Sequence, residues 1–408
     1  MGPLRCRSCG AQLATIFADL GISPLANAFL RPEREEAVES FYPLHAFVCD
    51  RCFLVQLEAV VTPEEIFTNY VYFSSFSDVW LDHCSRYVEM IIPHLDLSRE
   101  ARIIEIASND GALLGFFRRR GFQVLGIEPA ANVARAAIKN GVPTEIAFFG
   151  KNTAARIRST FAADLIIANN VLAHVPDLND FLAGLKLLLS RNGTITIEFP
   201  HVARLISDRQ FDTIYHEHLS YFSLLAAEPA LARHGLAVFD AEILPVHGGS
   251  LRLYVCHREN GRQPETGLVT VRAAERAAGL DRVETYRDFA SVPAAVRSEL
   301  LEFLTDARRA GKRVVGYGAA AKGNTLLNYC GIGSALIEYV ADRSPHKQGL
   351  LLPGSHLRVH APARVFETKP DYLFILAWNL KDEVLNTMAD IRTWGGHFVV
   401  PIPRLEIV

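Results

Sequence analysis

Arg102-Ile-Ile-Glu-Ile-Ala-Ser-Asn-Asp-Gly111, running on into Ala112-Leu-Leu-Gly-Phe-Phe117, decides how the centre of this chain folds. An apolar run that enters a small polar loop with one glycine, and then a helical pattern, opens a parallel α/β unit. Gln123-Val-Leu-Gly-Ile-Glu128 is the next strand and ends on an acid. Glu128 follows the loop by about twenty residues, the spacing at which an acid at the tip of the second strand accepts the ribose hydroxyls of a nucleoside cofactor. Ala163-Asp-Leu-Ile-Ile-Ala168 and Gly193-Thr-Ile-Thr-Ile-Glu198 each follow a helical stretch and read as buried strands. A doubly wound sheet is therefore expected. Its loop has one glycine where a dinucleotide fingerprint has three, so the close backbone approach that a pyrophosphate needs is not provided.

Outward from this sheet, the two flanks carry different signals. On the N-terminal side, Cys6-Arg-Ser-Cys9 and Cys49-Asp-Arg-Cys52 are doublets whose four thiolates can close a tetrahedron around zinc. Four cysteines leave no open coordination position, so the expected zinc is structural and staples a small domain with little core of its own. Tyr72, in Tyr70-Val-Tyr-Phe-Ser-Ser-Phe-Ser77, is a candidate for the functional site, although aromatics at this spacing more often pack. On the C-terminal side, His247-Gly-Gly-Ser250 is a turn whose glycines let a ligand or another backbone come close. Residues 262–310 are charged, alanine-rich and helical by pattern. Lys312-Arg-Val-Val-Gly-Tyr-Gly-Ala-Ala-Ala-Lys-Gly-Asn324 is then a strand, a glycine-rich loop and a helix start, and Asp342 closes the next strand. Gly316-x-Gly318-x-x-Ala321 alone suggests NAD, but a loop that binds one pyrophosphate can bind another.

The densest cluster of titratable groups is Phe211-Asp-Thr-Ile-Tyr-His-Glu-His-Leu-Ser-Tyr-Phe222. Ile214, Leu219 and Phe222 anchor it in apolar surroundings, where the pKa values of Tyr215, His216, Glu217 and His218 can be tuned. A histidine beside a carboxylate is equipped to move a proton on and off a substrate. On this segment alone a metal pair or a satisfied buried hydrogen-bond cluster reads equally well. If the segment is extended, His216 points away from His218.

Composition narrows the classes. At 408 residues the chain should hold two or three domains, and half of its residues are apolar with a net charge of -3. Arg118-Arg-Arg120 is a short basic run, so a nucleic-acid partner is not expected. An odd seven cysteines argue against a disulfide framework. With no apolar h-region at the start and no apolar run long enough to span a bilayer, a cytoplasmic protein without a membrane partner is expected.

From about 100 to 200, the single-glycine acidic loop, Glu128 and Asn169-Asn170-Val-Leu-Ala-His174 resemble class I methyltransferases. That resemblance implies S-adenosylmethionine, which has no phosphate to cradle, held by Ala107, Asn109, Asp110, Gly111, Glu128 and Asn169. Across almost the whole chain, the cysteine doublets, Glu105-Ile-Ala-Ser-Asn-Asp-Gly111, the 211–223 segment and the glycine-rich C-terminal unit together resemble the sugar C-methyltransferases that build branched deoxysugars. The resemblance implies an α/β protein of three domains. These are a small zinc-binding module at 1–75, a class I methyltransferase domain with a doubly wound sheet at 76–240, and a Rossmann-like nucleotide-sugar-binding domain at 241–408. It further implies methylation at C3 of a dTDP- or GDP-linked 4-keto-6-deoxyhexose by a monomer or small homo-oligomer. By the same resemblance His218 is the base, Tyr215 and Glu217 are active-site residues, and His174 shares their pocket. Tyr72, Asn170, His247, Gly318, Lys322 and Asn324 are then expected to hold the sugar nucleotide. The chemistry agrees, because a ketone at C4 acidifies the C3 proton and its removal gives an enolate able to attack a sulfonium methyl. The rivals are an NAD-dependent enzyme acting on a nucleotide sugar, supported by the Gly316 loop, and a zinc-containing binding or regulatory protein.

Overall fold

Buried and exposed residues roughly alternate along β1 (Thr15–Ser23) and β2 (Tyr42–Val48), as strands covered on one face require. With β3 (Val55–Leu57) they form an antiparallel sheet in the computed structural model, which describes residues 4–34, 38–67 and 73–408. Tyr72 lies outside the described residues. The apolar face of this sheet is covered from the far end of the chain: Phe17 stacks on Phe289 at 4.6 Å and Phe53 on Tyr286 at 6.0 Å. The N-terminal module thus shares one hydrophobic core with the C-terminal sheet.

The cysteine doublets meet beside it. Cys6 Sγ lies 3.5 Å from Cys52 Sγ, Cys9 Sγ lies 3.5 Å from Cys49 Sγ, and all four sulfurs are within 4.8 Å of one another. Bonds of about 2.3 Å to a tetrahedral zinc would space the sulfurs at about 3.8 Å, so the four thiols fit that metal. Gln56 Nε2 donates to Cys6 Sγ at 3.2 Å.

In the middle of the chain β4 (Arg102–Ile106), β5 (Gln123–Ile127), β6 (Thr144–Glu145), β7 (Ala163–Asn169) and β8 (Leu189–Pro200) run parallel in the order β8-β7-β4-β5-β6. β9 (Ser220–Tyr221) leaves this sheet and pairs antiparallel with β3. β10 (Leu236–Leu244) and β11 (Ser250–His257) return to it, with β11 inserted antiparallel between β8 and β10. The boundary anticipated at 240 falls inside β10, and by hydrogen bonding this sheet runs to His257. Strand order reverses at β4, whose neighbours are β5 and β7, and this opens a crevice at the carboxyl ends of those strands. Gly111 starts the following helix at φ 78°, and a Cβ there would come 3.0 Å from Val142 Cβ, so both backbone and space demand glycine.

The C-terminal sheet holds β12 (Val314–Tyr317), β13 (Val340–Ala341), β14 (Val359–His360), β15 (Tyr372–Ile375), β16 (His397–Val400) and β17 (Glu406–Ile407). Their order is β14-β13-β12-β15-β16-β17, parallel except for β17, with a second switch point at β12. Among the described residues no helix is long and apolar enough to cross a membrane.

Because β3 and Arg7 both lie against the metal module and both hold the 219–221 stretch, metal removal should be felt there. A chelator, or Cys49→Ser, is expected to lower the thermal midpoint by at least about 10 °C and to deprotect the Ser220 and Tyr221 amides in hydrogen exchange. Activity lost with protection intact, and regained on adding metal, would contradict a structural role.

Candidate active site

The titratable segment is a turn, not an extended strand. Phe211–Thr213 forms a 3-10 helix, and the His218 N–H donates to Tyr215 O at 2.8 Å, which brings those two side chains onto one side. Tyr215 Oη lies 2.8 Å from His218 Nε2, and His218 Nδ1 lies 3.1 Å from Thr213 O. A carbonyl only accepts, so in the neutral ring Nδ1 carries the proton and Nε2 presents its lone pair to the Tyr215 hydroxyl. His174, on the 3-10 turn Leu172–His174 after β7, meets the His218 ring edge-on at 4.9 Å. Burial pushes His174 down to about 4, against hydrogen bonds to the Glu217 and Asn170 backbone, so its ring is neutral near pH 7. His216 turns away, its Nε2 3.1 Å from Pro43 O. The divergence expected of His216 and His218 is present, but the turn produces it rather than strand alternation. Glu217 does not face the His218 ring nitrogens: its Oε1 accepts Asn27 Nδ2 at 2.6 Å, and burial pushes its carboxyl up to about 7.

The crevice of the middle sheet gathers the residues expected to hold a nucleoside cofactor. Ala107 and Asn109 adopt φ 56° and 50°, a left-handed path that is strained for residues other than glycine. Glu128 accepts the N–H of Asn109 at 2.9 Å and of Ala130 at 2.8 Å, which fixes its carboxylate at the end of β5. Asn109 Oδ1 and Asp110 Oδ2 accept the N–H of Ser74 and Ser75 at 2.8 and 3.1 Å, so residues 73–76 close over the loop. Asp110 Oδ1, Asn169 Oδ1 and Asn170 Oδ1 are buried without a hydrogen-bond partner among the described residues. Leaving such an acceptor unsatisfied costs about 1–3 kcal/mol. Ribose hydroxyls and an ammonium group would satisfy these atoms, so the residues fit S-adenosylmethionine.

The C-terminal domain reaches the same turn from the other side. Trp378 Nε1 donates to Asp212 Oδ2 at 2.7 Å, and Lys322 Nζ lies 4.2 Å from the centre of the Trp378 ring. Burial pushes the Asp212 carboxyl up to about 6 and the Lys322 ammonium down to about 8, each charge opposing the shift of the other. Asn324 Nδ2 donates to Ala26 O at 2.6 Å, and Thr325 Oγ1 donates to Ile214 O at 3.3 Å. At Gly318 φ is 92° and a Cβ would come 2.8 Å from Ala377 Cβ. The adjacent Ala319 N–H donates to Asp342 Oδ2 at 2.7 Å. The turn Val246–Gly248 packs on Trp378, since a Cβ at Gly248 would come 2.7 Å from that ring; the His247 side chain lies outside what is described. Sequence reading does not single out Asn27, Thr213 or Trp378. Thr213 acts through its carbonyl, which no residue type reveals, and the other two come from distant segments.

Glu128→Ala is expected to raise the dissociation constant for S-adenosylmethionine by at least about tenfold, measured by calorimetry, since two ordered acceptor oxygens are lost. An unchanged affinity would remove Glu128 from the ribose site.

Three family models match the chain in succession: "Putative zinc binding domain" over residues 6–67, "Methyltransferase domain" over 82–241 and "C-methyltransferase C-terminal domain" over 245–403. The C-methyltransferase NovU of Streptomyces niveus is 34% identical over 404 residues, covering 99% of this chain and 96% of that protein. The ubiquinone biosynthesis O-methyltransferase of Rhodopseudomonas palustris is 32% identical over 100 residues, 24% of this chain and 38% of that one. Among solved structures, the magnesium protoporphyrin IX methyltransferase of Synechocystis with bound SAM has a TM-score of 0.34 at 14% identity, over 46% of this chain and 86% of that one. With a relative similar from end to end and the three models falling in order along it, the chain belongs to the C-methyltransferase family and is an enzyme that transfers methyl groups.

Proposed function

We propose that the chain methylates C3 of a nucleotide-linked 4-keto-6-deoxyhexose, with S-adenosylmethionine as donor. The observation that carries this reading is the hydrogen-bonded series Tyr215–His218–Thr213, which presents a basic nitrogen beside the neutral His174. A sugar carbon becomes nucleophilic only as a carbanion equivalent, and a neighbouring ketone makes one accessible.

In this reading Tyr215 turns its hydroxyl toward the substrate and His218 Nε2 takes the C3 proton. The C–H electron pair moves into the C3–C4 bond, and the C4 oxygen gains negative charge. The Tyr215 hydroxyl stabilises that oxygen, and the neutral His174 ring packs edge-on beside the base. Glu217, next in the chain, supports the imidazolium electrostatically. The electron pair of the enolate would then be available at C3 for the methyl group, and the C4 carbonyl would return as that pair is used. S-adenosylmethionine when bound supplies an electrophilic methyl, and Glu128, Asp110 and Asn169 orient it. Holding both reactants in one dry pocket provides much of the acceleration.

The sugar diphosphate is assigned to the Gly316–Gly318 loop with Lys322 as its cation. The rival NAD reading loses support because the family transfers methyl groups, a reaction that needs no hydride carrier.

Proton NMR in deuterated water tests the reading. The keto sugar is expected to lose its C3 proton signal and, with S-adenosylmethionine, to gain a methyl singlet. His218→Asn should slow both by at least about a hundredfold while cofactor affinity is kept. Retained exchange would remove His218 as the base, and silence of the wild-type enzyme on both dTDP- and GDP-linked sugars would overturn the substrate assignment.

A further inference from the structure

The loop Pro24-Leu25-Ala26-Asn27-Ala28-Phe29-Leu30 belongs in sequence to the zinc module, yet it bonds both to the catalytic turn and to the C-terminal domain. It is pinned on both sides. Ala26 O accepts Asn324 Nδ2 at 2.6 Å, and Leu30 exchanges backbone hydrogen bonds of 3.0 and 2.8 Å with Leu351. Between these points Asn27 is half-buried and its amide donates to Glu217 Oε1 at 2.6 Å. Glu217 itself is only 4% exposed. Its backbone is hydrogen-bonded by His174, and Tyr215 and His218 flank it in the turn. From the C-terminal domain Lys347 faces it, with Nζ held 2.7 Å from Ala319 O and 5.5 Å from the centre of the Phe29 ring.

We infer that Asn27 is a positioning residue, contributed by the N-terminal module, that orients the Glu217 carboxyl next to the base in the chain and favours its charged form. This rests on the catalytic role given above to the 215–218 turn. The physical argument is one of donors. A carboxyl this buried resists ionisation: burial raises it, the Asn27 hydrogen bond and the Lys347 charge lower it, and the balance stands at about 7. An amide N–H donates to the charged form and cannot exchange a proton with it, so it orients the group without competing for its proton. A side chain that merely stapled the loop would do nothing to this equilibrium.

The test reads Glu217 directly. In protein labelled with carbon-13 at the glutamate carboxyl, the Glu217 resonance is identified by its loss in Glu217→Gln, and its titration midpoint is followed. Losing the donor removes support from the charged form, so Asn27→Ala should raise the midpoint by about one to two pH units. The nearly isosteric Asn27→Asp, which adds a like charge, should raise it at least as far, and it serves if the alanine variant does not fold. In both, the acid limb of kcat for the keto sugar should move to higher pH by a matching amount. An unshifted Glu217 midpoint in a folded variant overturns the inference. If the midpoint shifts as expected while even the wild type leaves the keto sugar unchanged, the positioning role holds and the substrate reading fails.

Discussion

The contact from Thr213 O to His218 Nδ1 is the constraint on which the site depends, because a carbonyl there needs the ring proton on Nδ1 and leaves Nε2 as the basic nitrogen. A carbonyl can hold that position only if the backbone of 211–222 is rigid, and every part of the chain helps to hold it. The zinc module contributes β3, paired with β9, and Arg7, whose guanidinium donates to Leu57 O, Leu219 O and Ser220 Oγ. The short helix after β8 contributes the Val202 N–H, which donates to Phe222 O at 3.0 Å. From the C-terminal domain come Trp378 on Asp212 and Thr325 on Ile214 O. A short turn with two histidines has few bonds of its own, so its geometry is imposed from outside.

Burial then sets the charges. The same desolvation that lowers His174 to about 4 raises Glu217 to about 7, because each is pushed toward its neutral form. A neutral His174 can donate a hydrogen bond without first losing a proton, while Glu217 needs donors to stay ionised. Asp212 and Lys322 form a separate opposed pair beneath the turn. Charge in this pocket is kept where a polar partner stands ready and is suppressed elsewhere. The zinc module is therefore more than an appendage: it delivers Arg7 to one end of the turn and Asn27 to its centre.

Much of the fold was legible in the sequence. Arg102–Ile106 and Gln123–Ile127 announced themselves by apolar runs ending in turn residues, and the cysteine doublets by their spacing. Gly111 could be located as the single glycine of the polar loop after an apolar run, and the structure supplies the reason, a left-handed backbone packed against Val142. The segment of Tyr215 to His218 stood out by composition. Its conformation did not, since four polar residues in a row carry no periodicity that separates a turn from a strand. The long-range partners were likewise hidden: Asn27 and Trp378 stand about 190 and 166 positions from the groups they bind, and only the folded chain brings them together. The turn at His247–Ser250 and the strand beside it were legible too, but not that β10 and β11 pair back onto the middle sheet, since pairing between strands leaves no compositional mark.

The most direct test of the account is the tautomer of His218, read from the nitrogen-15 shifts and couplings of the imidazole side chains near pH 8, with His218→Asn to identify the signals. The account predicts a proton on Nδ1 and an unprotonated Nε2. A resting His218 protonated on Nε2 would leave Thr213 O without its donor and point the basic nitrogen away from Tyr215, contradicting the assignment of the base.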